Sequence, residues 1–186
     1  MIFLTSDSHF SHANILGYCD RPFANVEEMD QAMIDNWNEV VGDDDVIYHL
    51  GDFTLGHDAE KYFNRLNGRI HILGTWWHHD KRWIAKTRGR VFDFGNTNIL
   101  SASEHPVKLL PPMYLVKSSN VPPITLSHYP MAHWEQSHRG AWCLHGHSHG
   151  TYKADGLIMD VGVDANNFYP VSIIQVAAQM KEKAGS

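Results

Sequence analysis

The chain has 186 residues, and its 43% hydrophobic and 11% aromatic content excludes an intrinsically disordered or low-complexity protein. Fifteen Lys and Arg against 21 Asp and Glu give a net charge of −6, which argues against a protein that wraps long nucleic acid. Histidine is the outlier, because the 14 His nearly equal the Lys and Arg combined. The length predicts one domain over residues 1–180, with a frayed tail over 181–186.

Cysteine content and the first residues bear on location. Cys19 and Cys143 are too few for a disulfide framework. The start of the chain lacks a basic segment and reaches Asp7 early, which is untypical of a secretory signal. No apolar run approaches the ~20 residues that cross a membrane. We therefore expect a soluble, cytoplasmic protein with unpaired thiols and no membrane partner.

Strands and helices alternate in the first part of the chain. Short apolar runs predict buried strands at residues 2–4, 46–50 and 70–73. Asn25 and Glu28 form a capping-box pattern ahead of an apolar helical face over 26–41, and a second helix is expected over 59–66. The alternation favours a sheet with parallel strands, whose ligands bind at the carboxyl ends of the strands.

The second half has a different pattern, which predicts a mostly antiparallel sheet. Its strand-like runs lie at residues 98–100, 113–116, 124–126, 142–144, 157–159 and 171–174. Pro, Gly, Ser and Asn separate them, as is typical of short strands joined by turns. There is no internal repeat and no low-complexity linker, which agrees with a single domain.

Histidine and aspartate follow five of the predicted strands. The segments are Asp7-Ser8-His9, Asp52, His78-His79-Asp80, His128 and His145-Gly146-His147-Ser148-His149. If these strands share one fold, their polar ends can meet at one edge. Mixed carboxylate and imidazole donors suit Mn, Fe, Zn, Ni or Co better than Ca. The sequence therefore predicts a transition-metal site.

In this order the segments resemble the calcineurin-like metallophosphoesterase family. That family has Asp-x-His, Gly-Asp, Gly-Asn-His-Asp, an isolated His and Gly-His-x-His in series. The matching segments here are Asp7-Ser8-His9, Gly51-Asp52, a variant block from Gly74 to Asp80, His128 and Gly146-His147-Ser148-His149. Residues 10–14 and 21–23 are similar to a subgroup of small bacterial and phage phosphoesterases. The resemblance covers about residues 1–176, nearly the whole chain.

The resemblance implies a fold, a reaction and a set of ligands. The fold would be α/β, a four-layer α/β/β/α sandwich with two mixed sheets. The reaction would be metal-dependent hydrolysis of a phosphate mono- or diester by a hydroxide that bridges two divalent ions. Mn is the first expectation, with Fe, Zn, Ni or Co as alternatives. By position, Asp7, His9 and His149 would hold the first metal, His128 and His147 the second, and Asp52 would bridge both.

The third block departs from the family pattern. It reads Gly74-Thr75-Trp76-Trp77-His78-His79-Asp80, three residues longer than the family's block and without its Asn. Aligning its end implies that His79 is the catalytic histidine, which protonates the leaving group or steadies the phosphate, and that Asp80 orients it. His78 then takes the Asn position at the second metal. Aligning on Gly74 would put Thr75 there instead; we favour His78.

Three further residues are candidates for substrate contact: His12, Arg21 and Arg139. The expected substrate is a small phosphoester, with nucleotides among the candidates, and long nucleic acid is not expected. The alternative to an enzyme is a catalytically weakened metal- or nucleotide-binding module of the same fold, motivated by the variant block. A metallo-β-lactamase-like hydrolase is disfavoured, because its His-x-His-x-Asp-His run is absent.

Overall fold

The structure of the protein is a computed structural model that describes residues 1–74, 79–88, 94–119 and 121–185. The strands are β1 (Ile2–Thr5), β2 (Val46–His49), β3 (Arg69–Leu73), β4 (Gly95–Leu100), β5 (Pro106–Leu110), β6 (Met113–Val116), β7 (Ile124–Ser127), β8 (Trp142–His145), β9 (Ile158–Asp160) and β10 (Val171–Ser172). The helices are α1 (Ile15–Tyr18), α2 (Val26–Val40), α3 (Glu60–Phe63), α4 (Lys81–Arg88) and α5 (Ile173–Gly185). Two 3₁₀ turns lie at Ser137–Arg139 and Val163–Ala165.

The first sheet has the order β10-β1-β2-β3-β5-β4. Its central strands β1, β2, β3 and β5 are parallel, and the edge strands β10 and β4 are antiparallel to their neighbours. The predicted strands at 2–4, 46–50 and 70–73 are therefore confirmed, as is their parallel pairing. The carboxyl ends of β1, β2 and β3 consequently lie along one edge of the sheet.

The second sheet has the order β6-β7-β8-β9 and is also mixed. β6 is antiparallel to β7, but β7, β8 and β9 are parallel to one another. The expectation of a mostly antiparallel sheet in the second half is wrong. Its parallel connections run through loops and the 3₁₀ turn Ser137–Arg139 rather than through long helices, so no helical periodicity marks them in the sequence.

Two apolar clusters hold the layers together. The first lies between one face of the first sheet and helices α2 to α4, and α2 contributes Met29, Met33 and Trp37 to it. As predicted, Asn25 caps α2, because its Oδ1 accepts a hydrogen bond from the Glu28 amide at 2.9 Å. The second cluster lies between the two sheets and includes Leu4 and Leu144. An α/β sandwich with two mixed sheets is thus confirmed.

Helix α5 closes one edge of the sandwich. It buries Val176 and Met180 in the cluster between the sheets and contacts β9 and β10, the edge strands on that side. The sequence predicts a strand over 171–174, but the strand ends at Ser172 and α5 begins at Ile173. The helix continues to Gly185. The fraying of residues 181–186 stays a prediction. The β-branched run at 171–174 resembles a strand locally, and only the tertiary contacts of the apolar helical face reveal the helix.

The outer face of the second sheet carries Thr125 and Cys143, which are both buried. Met131 and Trp134 line the same cavity as Thr125, so segment 129–141 lies over this face. Among the described residues, the fourth layer of the sandwich is therefore a loop with a 3₁₀ turn.

Within the described part of the chain, no helix combines the length and the apolar character that a membrane crossing requires.

Candidate metal centre

The loops after β1 and β2 run side by side. The amide of Asp7 donates to the carbonyl of Gly51, and the amide of His9 donates to the carbonyl of Asp52, each at 3.0 Å. The parallel ladder of the two strands therefore continues past their ends. It brings the Asp-x-His segment next to the Gly-Asp segment.

His49 lies beneath both loops and links them. Its Nε2 lies 2.9 Å from Ser8 Oγ, and its Nδ1 accepts a hydrogen bond from the Gly51 amide at 3.2 Å. Complete burial lowers the pKa of His49 to about 3. The ring is therefore neutral, and it positions the two loops.

Five predicted ligands have left-handed backbone conformations. Their φ angles are 59° for Asp7, 53° for His9, 54° for Asp52, 68° for His147 and 47° for His149. This conformation costs a non-glycine residue about 1–2 kcal/mol. Such strain persists where the surrounding structure enforces it, and it concentrates at functional sites.

The first predicted ligand set is assembled. One donor atom from each of Asp7, His9 and His149 lies within 4.8 Å of the others. Asp7 Oδ1 and His9 Nε2 are buried and have no hydrogen-bond partner among the described residues. An unpaired buried polar atom costs about 1–3 kcal/mol. A divalent cation would satisfy both atoms, so these residues fit a metal ion.

Metal binding would change the protonation of this cluster. Burial, reinforced by the charge of Asp52, raises the pKa of Asp7 to about 8. Burial also lowers the pKa of His9 well below its usual value. Because a ligating carboxylate must be ionised, a metal would displace the proton from Asp7, whereas His9 is already in the neutral form that ligates.

Two glycines leave room for the Asp7 carboxylate. A Cβ at Gly146 would clash with Ser6 Oγ and Asp7 Oδ2, and a Cβ at Gly162 would lie 2.9 Å from Asp7 Oδ2. Any side chain at Gly146 would therefore displace the carboxylate.

The second predicted set is Asp52, His128 and His147, whose donor atoms also lie within 4.8 Å of one another. Asp52 Oδ2 is 3.6 Å from His128 Nε2 and 3.7 Å from His9 Nε2. The Asp52 carboxylate therefore lies between the two sets.

The imidazoles of His128 and His149 are each oriented by a partner at Nδ1. His128 Nδ1 lies 3.2 Å from the carbonyl oxygen of Leu50, and His149 Nδ1 lies 2.6 Å from Asp164 Oδ2. Burial lowers the pKa of His149, but the hydrogen bond to Asp164 and the charge of Asp7 outweigh it and raise that pKa. Such outer partners fix the ring and its tautomer.

Two of the carboxylates that shape the site are outside the predicted motifs. Asp164, in the 3₁₀ turn after β9, supports His149. Asp160 accepts hydrogen bonds from Ser148 Oγ at 2.7 Å and from the Gly150 amide at 2.9 Å, which holds the turn that carries His147 and His149. Their one sequence signal is that they follow a predicted strand.

The prediction that Arg21 contacts substrate is wrong. The side chain is buried and pairs with Asp164 at 2.8 Å. Its guanidinium also donates to the carbonyl oxygens of Asp7 and Ser8, at 2.7 and 3.0 Å. Arg21 therefore stabilises the loop after β1 from beneath. Arg139, the other predicted cation, is exposed at the end of the 3₁₀ turn Ser137–Arg139.

Asp80 has a role different from the one predicted. Its buried carboxylate accepts hydrogen bonds from the amides of Phe53 and Thr54 and from Trp83 Nε1, the last at 2.7 Å. Burial and the charge of Asp52 raise its pKa to about 6. These partners show that Asp80 anchors the loop after β2; among its described hydrogen bonds, none goes to His79.

His79 and His12 lie beside the first set of ligands. The centre of the His79 ring is 5.1 Å from that of His9 and 5.4 Å from that of His12. The amide of His79 donates to Asp52 Oδ1 at 3.4 Å. His78 and Thr75, the alternatives for the Asn position, lie outside the described residues.

A cavity of about 370 Å³ adjoins the second set of ligands. It is lined by Asp52, Leu55, His79, Lys81, Arg82, His128, Tyr129 and His147. Its described cations are Lys81 and Arg82, at the start of α4, rather than the predicted Arg21 and Arg139. No motif marks these two residues in the sequence, because they follow the variant block.

Comparisons with known proteins name no activity. No protein-family model matches the chain. The uncharacterized protein MJ1445 of Methanocaldococcus jannaschii is 33% identical over 183 residues, which cover 92% of this chain and 86% of that protein. The gene 66 protein of Mycobacterium phage D29 is 27% identical over 164 residues, 80% of this chain and 78% of its own length.

A solved structure has a similar fold. It is the protein of unknown function AQ665 from Aquifex aeolicus, with a TM-score of 0.66 and 20% identity. The match covers 96% of this chain and 98% of that protein. At this identity the likeness establishes the shared fold alone.

Proposed function

Since this chain belongs to the same family as the uncharacterized protein MJ1445, its activity has to be argued from its own residues, and we propose that it is a metallophosphoesterase. It would hydrolyse phosphate mono- or diesters at a binuclear metal site. The sandwich would then be the calcineurin-like metallophosphoesterase fold. We further propose a cytoplasmic protein, in keeping with its two unpaired cysteines, Cys19 and Cys143.

The position of Asp52 is the observation that carries this proposal. Its Oδ2 lies within 3.7 Å of an imidazole nitrogen from each of the two ligand sets. A carboxylate shared by two neighbouring sets of N and O donors is the arrangement that a two-metal hydrolase needs.

The two sets would hold one ion each, with Mn as the first expectation. Asp7, His9 and His149 would bind the first ion, His128 and His147 the second, and Asp52 both. Two divalent ions would supply the acidity that activates water and the positive charge that binds the phosphate oxygens.

Residues of the chain would complete the reaction. His79 lies beside both ligand sets and at the wall of the cavity, so its imidazole is placed to protonate a leaving oxygen. Its amide, which donates to Asp52 Oδ1, helps to hold the bridging carboxylate. Lys81 and Arg82 would attract the anionic part of the substrate.

The cavity favours a small substrate. Its volume of about 370 Å³ lies near the lower end of the ~300–1,000 Å³ that is typical of small-molecule sites. Tyr129 is 41% exposed and forms part of the wall, so its ring could contact a nucleoside base or an aryl group. These features support a small phosphoester, with nucleotides among the candidates.

The direct test is turnover of bis(4-nitrophenyl) phosphate and 4-nitrophenyl phosphate with Mn²⁺. We expect Asp52→Asn to lower kcat by roughly 100-fold or more, and by more than His128→Ala, because both ions lose a ligand charge. Asp44→Asn is the matched control, since that carboxylate is 87% exposed and lies in the turn before β2. Near-normal turnover by Asp52→Asn would refute the bridging role.

The second candidate is a metal- or nucleotide-binding module of the same fold. The variant block from Gly74 to Asp80, which lacks the family's Asn, favours it. A protein that binds Mn²⁺ but hydrolyses no phosphomonoester or phosphodiester in a broad screen would support this candidate against the enzyme.

A further inference from the structure

The two ring nitrogens of His9 have different surroundings. Nε2 points toward Asp52, with Oδ2 at 3.7 Å, and has no hydrogen-bond partner among the described residues. Nδ1 lies 3.3 Å from Nδ1 of His12. We propose that His12 is a positioning residue that fixes the tautomer of His9, by accepting its Nδ1–H and leaving the Nε2 lone pair for the first metal. This inference rests on the metal centre proposed above.

The number of protons on the two rings supports a hydrogen bond in which His9 donates and His12 accepts. Two nitrogens that share one hydrogen bond need one proton between them, so either His9 or His12 is the donor. If His12 donated, the proton of a neutral His9 would sit on Nε2 and block the atom that faces the ligand set.

His128 and His149 also have a hydrogen-bond acceptor at Nδ1. His128 meets a backbone carbonyl at Nδ1, and His149 meets a carboxylate there. Both partners can only accept, so each of these rings carries its proton on Nδ1. His12 supplies the equivalent acceptor for His9, which would give the three imidazoles one common tautomer.

The local chain conformation brings the two rings together. The amide of His12 donates to the carbonyl of His9 at 3.1 Å, which closes a tight turn, and Ser11 within it has a φ of 63°. The His12 residue is only 9% exposed. This burial against His9 places His12 where it can support the His9 ring.

A different arrangement of the same residues would contradict the proposal. Donor atoms of His9, His12 and His79 also lie within 4.8 Å of one another, so His12 could be a ligand to an ion of its own. The two roles differ in what is lost with the side chain. A positioning residue changes the affinity of an existing site, whereas a ligand to a separate ion changes the number of ions bound.

The experiment compares Mn²⁺ binding by wild type, His12→Ala and His12→Asn, using calorimetry and equilibrium dialysis. We expect His12→Ala to weaken one ion by about 10–100-fold, as is usual for outer partners of metal ligands, without changing the stoichiometry. His12→Asn should restore most of the affinity, because its Oδ1 can accept the same proton. His133→Ala, an exposed histidine on segment 129–141, is the control.

A spectroscopic readout separates this role from mere packing. Long-range ¹⁵N–¹H spectra of the metal-free protein should assign the proton of His9 to Nδ1, and His12→Ala should shift it toward Nε2. Unchanged affinity in His12→Ala, loss of a whole ion in both variants, or a proton on Nε2 in wild type would each overturn the proposal. Wild type that binds no Mn²⁺ would instead refute the proposed metal centre.

Discussion

Asp80 accepts hydrogen bonds from the Phe53 amide with both carboxylate oxygens, at 3.0 and 3.1 Å. Phe53 directly follows Asp52, and Asp80 directly precedes α4. The pair therefore ties the loop that carries Asp52 to helix α4, which carries the two cavity cations Lys81 and Arg82. Asp80, which is 27 positions from Phe53 in the sequence, thus holds the backbone next to Asp52 in place.

Asp80→Asn should destabilise the protein. The amide side chain replaces one acceptor oxygen by a donor that faces backbone N–H groups, and a buried unsatisfied polar group costs about 1–3 kcal/mol. Urea unfolding of the variant, with Asp44→Asn as control, measures the loss of unfolding free energy. If turnover falls while stability is unchanged, Asp80 acts by orienting His79 and not by anchoring the loop.

Asp7→Asn should make the metal-free protein more stable at alkaline pH. The pKa of Asp7 is raised from 3.8 to about 8, so the folded state holds this proton more tightly than the unfolded state. The stability that the folded state gains by holding this proton is complete below pH 3.8 and is lost as the pH rises through about 8. Asparagine avoids this loss and also tolerates the left-handed backbone at this position.

The measurement is thermal unfolding in a chelator from about pH 5 to about pH 9, over which the linked proton is released. The advantage of Asp7→Asn over wild type should grow with pH. Added Mn²⁺ should reverse the order, because the variant lacks a ligand charge. A variant that is less stable than wild type at every pH in chelator would contradict this account of Asp7.

His79→Ala should lower kcat and leave the metal content unchanged. Its ring is placed to protonate the leaving oxygen, and an alkyl leaving group needs that proton more than a nitrophenyl group does. The comparison is kcat for an alkyl and an aryl phosphoester, with metal content measured on the same samples. An equal loss for both esters would contradict a general-acid role.

Lys81→Ala and Arg82→Ala should weaken binding of substrates that carry extra negative charge. Solvent-exposed charges contribute about 0.2–1 kcal/mol each, so the double variant should raise KM for a nucleoside diphosphate roughly 2- to 30-fold. The effect should shrink at high salt and be smaller for 4-nitrophenyl phosphate. Lys117→Ala is the control, and an equal rise in KM for both substrates would contradict the assignment.

Strand ends and motif order were enough to predict which residues meet. Asp7, His9 and Asp52 follow apolar runs, and because parallel strands end at one edge, the residues after them converge. The same reasoning placed His128 and the His147–His149 turn, although the sheet that carries them is not the antiparallel one expected. The order of the motifs therefore predicts which residues lie together, even though the strand direction predicted for the second sheet is wrong.

Residues that act through long-range pairing could not be predicted. Arg21 and Asp164 are 143 positions apart in the sequence. No sequence pattern indicates that these two opposite charges form an ion pair. Arg21 therefore looked like a free cation for phosphate. The role predicted for Asp80 differs from its observed contacts for a related reason: its neighbour in the sequence is His79, but its hydrogen-bond partners include backbone amides after β2.

The central claim is that two metal ions share Asp52, and elemental analysis of the protein after Mn²⁺ loading and removal of free metal tests it most directly. We expect two Mn per chain in wild type and a sharp fall in both ions for Asp52→Asn, with Asp44→Asn unchanged. A stoichiometry near zero in wild type, or an Asp52→Asn protein that retains both ions, would contradict the account.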